Sequence, residues 1–388
     1  MEYDLVIIGG GIHGAGTAQA AAAAGYRTLL LEQTALASGT SSRSSKLIHG
    51  GLRYLETGQF GLVRESLRER AILLRIAPEL VRLIPFNIPL YRTTRRRPWQ
   101  IRAGLVLYAG LAGLGPTARF RTLPHREFDH LDGLDAAGLQ AVFRYQDAQT
   151  DDAALTRAVM RSAIALGAEL AMPARFTAAR FENAAWTIEY LAGGRPADTR
   201  ARLLINAAGP WAAKVLAAIT PRPPPPAVEL VRGTHIALPG RLAEGAYYLE
   251  APADGRAVFA LPHGADTLVG TTEAPYRGDP AEVRPSRAEC AYLCAVAGHY
   301  FPRLAGARPS GEFAGLRVLP AVAGRPFGRS RETLFAAFPP AAPRLFSIIG
   351  GKLTTYRASA EKLVRCLAPH LPKRQRRGDT RTLPLTPD

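Results

Sequence analysis

Three glycines and one acid near the start of the chain have the spacing of a phosphate-binding loop. Gly9, Gly11 and Gly14 follow an apolar run, and Glu32 lies eighteen residues after Gly14. Glycines at these positions permit a tight turn, a close approach of backbone to a pyrophosphate, and close contact between helix and strand. An acid in the place of Glu32 accepts hydrogen bonds from ribose hydroxyls and disfavours a 2′-phosphate. The pattern predicts a bound dinucleotide, either FAD or NAD.

Three further segments carry groups that suit a phosphate or a flavin. Residues 38–45 are rich in Ser and Thr, whose hydroxyls and backbone amides suit a diphosphate. Residues 206–209 (NAAG) end an apolar strand with small side chains, which allows backbone to pass close to a ligand or to pack tightly. Gly350 and Gly351 precede a predicted helix, and a positive charge just after them would stabilise an anionic reduced flavin.

The elements that must position these residues form a βαβ unit. Residues 3–8 are predicted to form a strand, an alanine-rich helix follows to Ala24, and residues 28–31 form the next strand. Parallel strands need a crossover helix, so we expect a sheet that is covered on both faces. The prolines at 221–226 mark a change of module, because adjacent prolines continue neither a helix nor a central strand. Short strands separated by turns are predicted from there to about residue 337.

Two long segments closely resemble the signatures of FAD-dependent, quinone-linked glycerol-3-phosphate dehydrogenases, within the D-amino-acid-oxidase-like flavoprotein superfamily. They are residues 40–55 (TSSRSSKLIHGGLRYL) and residues 350–357 (GGKLTTYR). Five shorter segments fall between them in the family's order: residues 143–155, 206–211, 232–235, 270–273 and 315–317. The resemblance covers residues 3–360, and it implies FAD rather than NAD.

The resemblance implies both a reaction and a set of cofactor contacts. The family oxidises the secondary alcohol of sn-glycerol 3-phosphate to dihydroxyacetone phosphate, passing hydride to flavin N5 and electrons on to a quinone. Together with the glycine loop, it implies these FAD-binding residues: Gly9, Gly11, Gly14, Glu32, Thr40, Ser41, Ser42, Ser45, Lys46, Leu47, His49, Gly209, Gly351, Lys352, Leu353 and Thr354.

The same resemblance implies the residues that meet the substrate, which are Arg53, Tyr54, His235, Arg317 and Arg331. Planar arginines bind a phosphate bidentately, which is why a phosphorylated substrate needs them. The catalytic roles fall to Arg317, His235 and Lys352.

Two of these assignments stay open in the sequence. Arg331 has Arg325 and Arg329 as rivals, because residues 318–330 depart from the family's more polar pattern. His235 is either a base or hydroxyl partner in alcohol oxidation or a packed core histidine, and His49 is an alternative base.

The predicted fold class is α/β, with a Rossmann-like FAD-binding domain and a second, substrate-binding lobe built on an antiparallel or mixed β-sheet. We expect the FAD-binding domain to be discontinuous, with residues 1–80, 140–220 and 338–388. The substrate-binding lobe then takes residues 81–139 and 221–337. The family usually continues into a helical C-terminal domain, which the chain is expected to lack because it stops about thirty residues after Tyr356. The tail after Pro369 is predicted to be loose.

Composition leaves the partners partly open. With 49 Lys and Arg against 32 Asp and Glu the net charge is +17, which suits a phosphorylated substrate or an anionic membrane surface. No nucleic-acid-binding motif accompanies the charge, so we expect no nucleic-acid partner. Arg95–Arg97 precede the apolar residues 101–115, which indicates either a peripheral membrane contact or a buried helix with a solvated basic end. That segment is too short to span a bilayer.

The sequence also gives expectations for the location of the protein, for metal binding and for alternative activities. No export signal is evident, so we expect a cytoplasmic protein, with the inner face of the cell membrane as the alternative. Cys290 and Cys294 are predicted to pack on a helix face, and no metal site is predicted. The rival functions are an FAD-dependent oxidase or dehydrogenase of a 2-hydroxy acid or amine, and a flavin-binding subunit that depends on a partner. For the glycerol-3-phosphate activity, the expected partners are a small phosphorylated substrate and a quinone or another electron acceptor.

Overall fold

A computed structural model describes residues 2–113, 115–321 and 332–387 of the chain. Its strands are, in chain order, β1 (Tyr3–Ile8), β2 (Thr28–Leu31), β3 (Leu47–Ile48), β4 (Val81–Tyr91), β5 (Phe120–Thr122), β6 (Leu139–Thr150), β7 (Glu169–Ala171), β8 (Ala174–Glu182), β9 (Ala185–Ala192), β10 (Arg195–Asn206), β11 (Ile219–Thr220), β12 (Val228–Pro239), β13 (Ala246–Glu250), β14 (Ala257–His263), β15 (Asp266–Gly270), β16 (Ala274–Tyr276), β17 (Gly311–Pro320), β18 (Thr333–Phe338) and β19 (Leu345–Gly350). Its α-helices are α1 (Ile12–Ala23), α2 (Phe60–Ile76), α3 (Pro98–Leu111), α4 (Asp152–Ala165), α5 (Ala212–Ala217), α6 (Arg287–Tyr300) and α7 (Tyr356–Leu367).

The first sheet has a parallel centre. Within the described residues it runs in the order β11-β8-β9-β10-β1-β2-β7, and β19 joins it beside β10 with β18 at its far side. β1 lies parallel to both β2 and β10. Its residues Leu5–Ile8 are buried, as continuous apolar strands are when helices cover both faces of a sheet. The predicted βαβ unit is therefore confirmed.

Helices α1, α4 and α7 cover one face of this sheet. The alanines of α1 have no long side chains, so neighbouring elements approach it closely; at Gly16 an added Cβ would come within 2.7 Å of the Tyr356 ring. Asp151 caps α4 by accepting from the Ala154 amide at 2.9 Å. The resulting apolar cluster is the core that fixes the glycine loop at the sheet's edge.

The second sheet is mainly antiparallel, with one parallel contact between β13 and β4. Its order is β16-β12-β15-β14-β13-β4-β6-β3, with β17 paired to β12 and β5 to β6. Helix α6 packs on it, and the half-buried Cys290 and Cys294 lie against that apolar cluster. The predicted fold class, an α/β flavin domain joined to a lobe on a mixed sheet, is confirmed.

The chain crosses between the sheets at other points than we expected. Residues 139–150 form β6, which pairs with β4 in the second sheet, although the sequence placed 140–220 in the first domain. Residues 333–338 form β18, which pairs with β19 in the first sheet. Pairing partners far away in sequence decide these boundaries, and strand alternation does not reveal them.

The sequence suggested a loose tail after Pro369, but the structure attaches this tail to the rest of the protein. Arg374 pairs with the buried Asp4 at 3.0 Å, and the Arg377 amide donates to the Ala23 carbonyl at 2.7 Å. Further on, Leu385 is buried in the core beside α2, and its amide donates to the Ile76 carbonyl. The charged residues that suggested mobility are therefore the groups that attach this segment to the first sheet's helices. Among the described residues, no helix is both long enough and apolar enough to cross a membrane.

Candidate active site

One elongated cavity of about 920 Å³ lies between the two sheets. One end is formed by the carboxyl ends of β1 and β2 and by the start of α1. The other end is formed by β12, β14 and β17 of the second sheet. In a sheet with parallel strands, ligands bind outside the carboxyl ends of those strands, so the first end is the natural place for the dinucleotide.

The glycine loop forms the floor of the first end. A Cβ on Gly14 would lie 1.9 Å from the Gly9 carbonyl oxygen, so only glycine permits this contact between helix and strand. At Gly11, by contrast, an added Cβ would meet only the Ser41 hydroxyl, at 3.1 Å. The space over Gly11 is thus open to the cavity at the N-terminus of α1, which is the cradle that a pyrophosphate requires.

Glu32 lines the cavity and also braces the loop. One carboxylate oxygen accepts from the Gly10 amide at 2.7 Å, and the other accepts from the Thr34 amide at 2.8 Å. The Thr34 hydroxyl donates to the second oxygen as well, at 3.2 Å, so the oxygen bound to Gly10 is the one that keeps a lone pair for a ribose hydroxyl.

The Ser- and Thr-rich loop closes the middle of the cavity. Ser41 accepts a hydrogen bond from the Ile12 amide at 2.9 Å, and Thr40 donates to the Leu316 carbonyl at 2.8 Å. Lys46 points away from the cavity, because its ammonium pairs with the buried Asp152 at the start of α4. Lys46 therefore fixes the loop's path between the two sheets.

The second signature approaches from the opposite wall. A Cβ on Gly351, whose φ is +96°, would lie 2.4 Å from His13 Nε2. Thr354 accepts from the His49 amide at 3.2 Å, so the two signatures are joined directly. His13 is half-buried, and the burial of its imidazole lowers its pKa to about 4. The imidazole is consequently neutral beside the flavin end at physiological pH.

Arg53, Tyr54 and Lys352 meet where the two signatures face the second sheet. The Lys352 ammonium lies 3.8 Å from the centre of the Tyr54 ring. The guanidinium of the adjacent Arg53 lies 5.4 Å from the same ring centre. Gly51, with φ +78°, bends the chain so that the Tyr54 ring lies against the Gly51 Cα. A side chain at position 51 would collide with this ring. A cationic surface results, with an aromatic ring at its centre.

A buried polar network holds this bend from behind. The Gly50 amide donates to the Tyr108 hydroxyl at 2.9 Å, and that hydroxyl donates to Asp147 at 2.7 Å. Arg70 pairs with the same carboxylate at 2.7 Å. Burial raises the pKa of Asp147 despite the Arg70 charge and the hydrogen bonds that oppose the shift. Tyr108 thus links helix α3 to the loop that carries Arg53 and Tyr54.

Arg317 extends from β17 across its neighbour β12. Its guanidinium donates to the Thr272 carbonyl at 3.1 Å and to the Thr271 hydroxyl at 3.0 Å, and it lies 3.6 Å from Glu273. Gly233 on β12 makes room for it, since a Cβ there would lie 2.8 Å from Arg317 Nη2. The side chain is therefore held at the cavity wall by three consecutive residues, 271–273.

His235 lies on the same face of β12. Its Nε2 is 2.9 Å from the Ser45 hydroxyl, and its ring stacks on Phe313 at 5.0 Å between centroids. Within the described residues the buried Nδ1 has no hydrogen-bond partner. Burial, followed by the charges of Arg317 and Lys46, lowers the pKa of His235 to about 3. A neutral imidazole with an unsatisfied nitrogen in a buried cavity fits a ligand that carries a hydroxyl.

The model of the FAD dependent oxidoreductase family matches residues 4–357. The chain belongs to this family. The cofactor of this oxidoreductase is FAD, and the open cradle at Gly11 fits its pyrophosphate.

Several known proteins are similar to this FAD-dependent oxidoreductase over most of its length. It is 40% identical to a glycerol-3-phosphate dehydrogenase of Pseudomonas aeruginosa over 373 residues, which cover 95% of this chain and 72% of that protein. It is 37% identical to a D-erythritol 1-phosphate dehydrogenase of Brucella abortus, with coverage of 92% and 72%. The crystal structure of a glycerol-3-phosphate dehydrogenase from Bacillus halodurans, complexed with FAD, superposes with a TM-score of 0.76 at 27% identity; the match covers 99% of this chain and 68% of that one. The chain is thus an enzyme similar to glycerol-3-phosphate dehydrogenases.

Most of the residues that the sequence singled out line the cavity. Three do not line it: Gly14, Ser42 and Lys46, which support the loops beneath. Arg331 lies outside the described residues, as do its rivals Arg325 and Arg329. The structure adds lining residues that the sequence analysis did not select: His13, Arg175, Phe176, Tyr248, Arg256, Phe259 and Glu273. Glu273 ends a segment that carries the resemblance, and that position was the available signal.

Proposed function

We propose that this enzyme oxidises the secondary alcohol of sn-glycerol 3-phosphate to dihydroxyacetone phosphate. The observation that carries the proposal is the pairing of a cationic surface with a neutral, buried histidine at one end of the flavin cavity. Arg53, Lys352 and Arg317 supply the cations, and His235 supplies the imidazole. Glycerol 3-phosphate presents the complementary groups, a phosphate dianion close to a secondary hydroxyl.

The side chains divide the work between binding and proton transfer. Arg317 binds the phosphate or the developing alkoxide, held in place by Thr271 and Glu273. With Nε2–H donating to Ser45, His235 Nδ1 accepts the proton of the substrate hydroxyl. A bound dianion offsets the positive charges that lower the pKa of His235, so proton acceptance becomes easier once substrate is present. When bound, FAD supplies the hydride acceptor, N5.

Anaerobic flavin bleaching tests the substrate assignment. The purified enzyme is mixed with glycerol 3-phosphate, glycerol, lactate or glycine, and the loss of flavin absorbance is followed by stopped flow. We expect rapid bleaching by glycerol 3-phosphate and very slow bleaching by glycerol, which lacks the charged group. Rapid bleaching by lactate or glycine alone would favour the 2-hydroxy acid or amine. Bleaching by none of the four would favour a flavin-binding subunit that needs a partner.

The second substrate in this proposal is a quinone, which the enzyme reaches at the inner face of the cell membrane. The surface of helix α3 supports a membrane contact, because Trp99, Val106 and Leu107 on this helix are 70%, 57% and 42% exposed. The exposed Arg102 lies among them, and the basic residues 95–97 precede the helix. Tryptophan and basic side chains next to exposed apolar surface favour an anionic bilayer interface. Tyr108 on the buried face then connects the membrane-facing helix with the substrate loop.

Vesicle co-sedimentation tests the membrane contact separately from catalysis. We expect binding to anionic phosphatidylglycerol vesicles at low salt, weaker binding at high salt, and a clear loss of binding in Trp99→Asp. Ile164→Asp is a matched control, because Ile164 is an apolar helix residue that is 46% exposed on α4, away from α3. Equal binding of both variants would contradict the role of α3. For the acceptor, a pre-reduced flavin should be reoxidised much faster by a short-chain quinone than by oxygen.

A further inference from the structure

A second cavity of about 740 Å³ adjoins the substrate end of the first. The two cavities share three lining residues: Leu52, Arg256 and Glu273. Beyond these residues the second cavity runs between helix α3 and the turn that follows β13. Catalysis on glycerol 3-phosphate, as described above, makes no use of this space.

The walls of the second cavity are charged and already paired. Arg256 binds Asp254 at 2.6 Å, and Arg96 binds Glu250 at 2.7 Å and also Glu56. The oxygens and N–H groups of these pairs have further hydrogen-bonding capacity. A flat apolar ring would desolvate the charges without satisfying them, whereas a hydroxylated chain exchanges hydrogen bonds with water for hydrogen bonds with these groups.

The other polar lining residues suit the same kind of ligand. The side chain of Arg95 extends across Gly255, where an added Cβ would lie within 2.8 Å of it. Gln100 contributes an amide from the first turn of α3, and Leu52, Leu55 and Ile101 supply apolar surface. Alternating C–H and O–H groups along a polyol match such a mixed wall.

The charges at the junction orient a phosphorylated ligand. Arg53, Lys352 and Arg317 line only the first cavity, whereas Glu273 lines both cavities. A carboxylate repels a phosphate dianion and accepts readily from hydroxyls. The phosphate therefore binds among the three cations of the first cavity, where Arg317 offsets the Glu273 charge, and the hydroxyl end of the substrate points past Glu273 and Arg256.

We propose that the second cavity is a subsite for the hydroxylated end of polyol phosphates longer than glycerol 3-phosphate. The inference rests on the proposed function, because it uses the same flavin, phosphate site and base. It names the substrate class as polyol phosphates of four or five carbons, whose additional CH(OH) groups enter the second cavity.

Gly104 provides a selective way to fill the subsite. It lines the second cavity from α3, and an added Cβ would meet no atom within 4 Å. Leucine has a higher helix propensity than glycine, so Gly104→Leu should keep α3 folded while its side chain occupies the cavity. Gly110 lies on the same helix with equally open space and does not line either cavity, which makes Gly110→Leu the matched control.

The test compares glycerol 3-phosphate, erythritol 1-phosphate and ribitol 1-phosphate in anaerobic flavin bleaching. For the unmodified enzyme we expect the ratio of the flavin-reduction rate constant to Kd with a longer substrate to equal or exceed that with glycerol 3-phosphate. Gly104→Leu should lower this ratio for the longer substrates at least tenfold and change the value for glycerol 3-phosphate less than twofold. Calorimetry with the ketose phosphate products should give the same pattern in Kd without turnover, and Gly110→Leu should resemble the unmodified enzyme.

Several results would overturn the inference. One is the failure of both longer substrates to reduce the flavin while glycerol 3-phosphate does so. Another is an equal loss on all three substrates in Gly104→Leu, which would make the second cavity a common entrance. A third is unchanged reduction combined with slower reoxidation by a quinone, which would assign the cavity to the acceptor. If no phosphate ester reduces the flavin at all, the proposed function itself fails.

Discussion

The two ends of the active-site cavity are built from different chemical groups. At the flavin end the walls are backbone and small side chains, with Gly9, Gly11 and Gly351 in contacts that leave little or no room for a Cβ once the cofactor is bound. At the substrate end, Arg317 and His235 project from two paired strands and are held by hydrogen bonds from other segments. A substitution at the flavin end therefore acts sterically, by excluding the cofactor. A substitution at the substrate end changes the charge or the proton affinity of the site.

The largest effect is expected at Gly11. Its φ of −76° is accessible to every L-residue, so Gly11→Leu should fold, but its side chain would fill the space above the N-terminus of α1. We expect a folded apoprotein without flavin absorbance. Gly61→Leu is the control, since Gly61 lies in α2 with no atom near its added Cβ. Full flavin occupancy in Gly11→Leu would show that the cradle is elsewhere.

At the substrate end, His235→Asn should keep its FAD and reduce it slowly. Loss of a general base typically costs about 10²- to 10⁴-fold in rate. Ser45→Ala removes only the group that orients the imidazole, so a smaller loss is expected. The measurement is the anaerobic bleaching rate with glycerol 3-phosphate at saturation. If flavin in His235→Asn bleaches at the parental rate, His235 is a packing residue and not the base.

A more moderate effect is expected from the network behind the substrate loop. Tyr108→Phe removes the hydroxyl between the Gly50 amide and Asp147, which leaves two buried groups without that partner. Such a loss costs about 1–3 kcal/mol in stability. Because the loop carries Arg53 and Tyr54, we expect KM for glycerol 3-phosphate to rise severalfold with little change in kcat. Tyr91→Phe, which removes a buried tyrosine hydroxyl that donates to the Asp135 carbonyl away from both cavities, should leave KM unchanged.

The smallest effect concerns stability in acid. Burial holds the pKa of His235 at about 3 and that of His13 at about 4, below the ordinary value of 6.5 that each has in the unfolded chain. Below pH 6.5 the unfolded chain therefore binds protons that the folded protein does not, and the free energy of unfolding falls as pH decreases. Each group contributes a slope of up to about 1.4 kcal/mol per pH unit. Urea unfolding of His235→Asn between pH 7 and pH 4.5 should show a shallower decline than the unmodified protein.

The same contrast explains how much the sequence predicted. The flavin end consists of contiguous segments, so the spacing of Gly9, Gly11 and Glu32 was enough to predict its position and its ligand class. Tyr248 lies on β13 and Arg256 comes just before β14, and these strands reach the cavity only through pairing across the second sheet. In a chain of net charge +17, an isolated arginine such as Arg256 has no local feature that separates it from a surface residue. The sheets to which β6 and β18 belong were mispredicted because the pairing of strands across the two sheets leaves no local signal in the sequence.

The central claim is that a phosphorylated substrate binds beside Arg317 in a flavin cavity that does not depend on that residue. It is tested most directly by the anaerobic rate of flavin reduction by glycerol 3-phosphate in Arg317→Ala. The guanidinium lies at the cavity wall and not at the glycine loop, so the variant should retain its fold and its FAD. Loss of a charge-assisted contact to a phosphate or alkoxide is worth about 2–4 kcal/mol, so the rate should fall roughly thirty- to a thousandfold, with partial recovery in Arg317→Lys. Reduction at the parental rate by Arg317→Ala with full FAD occupancy would contradict the account.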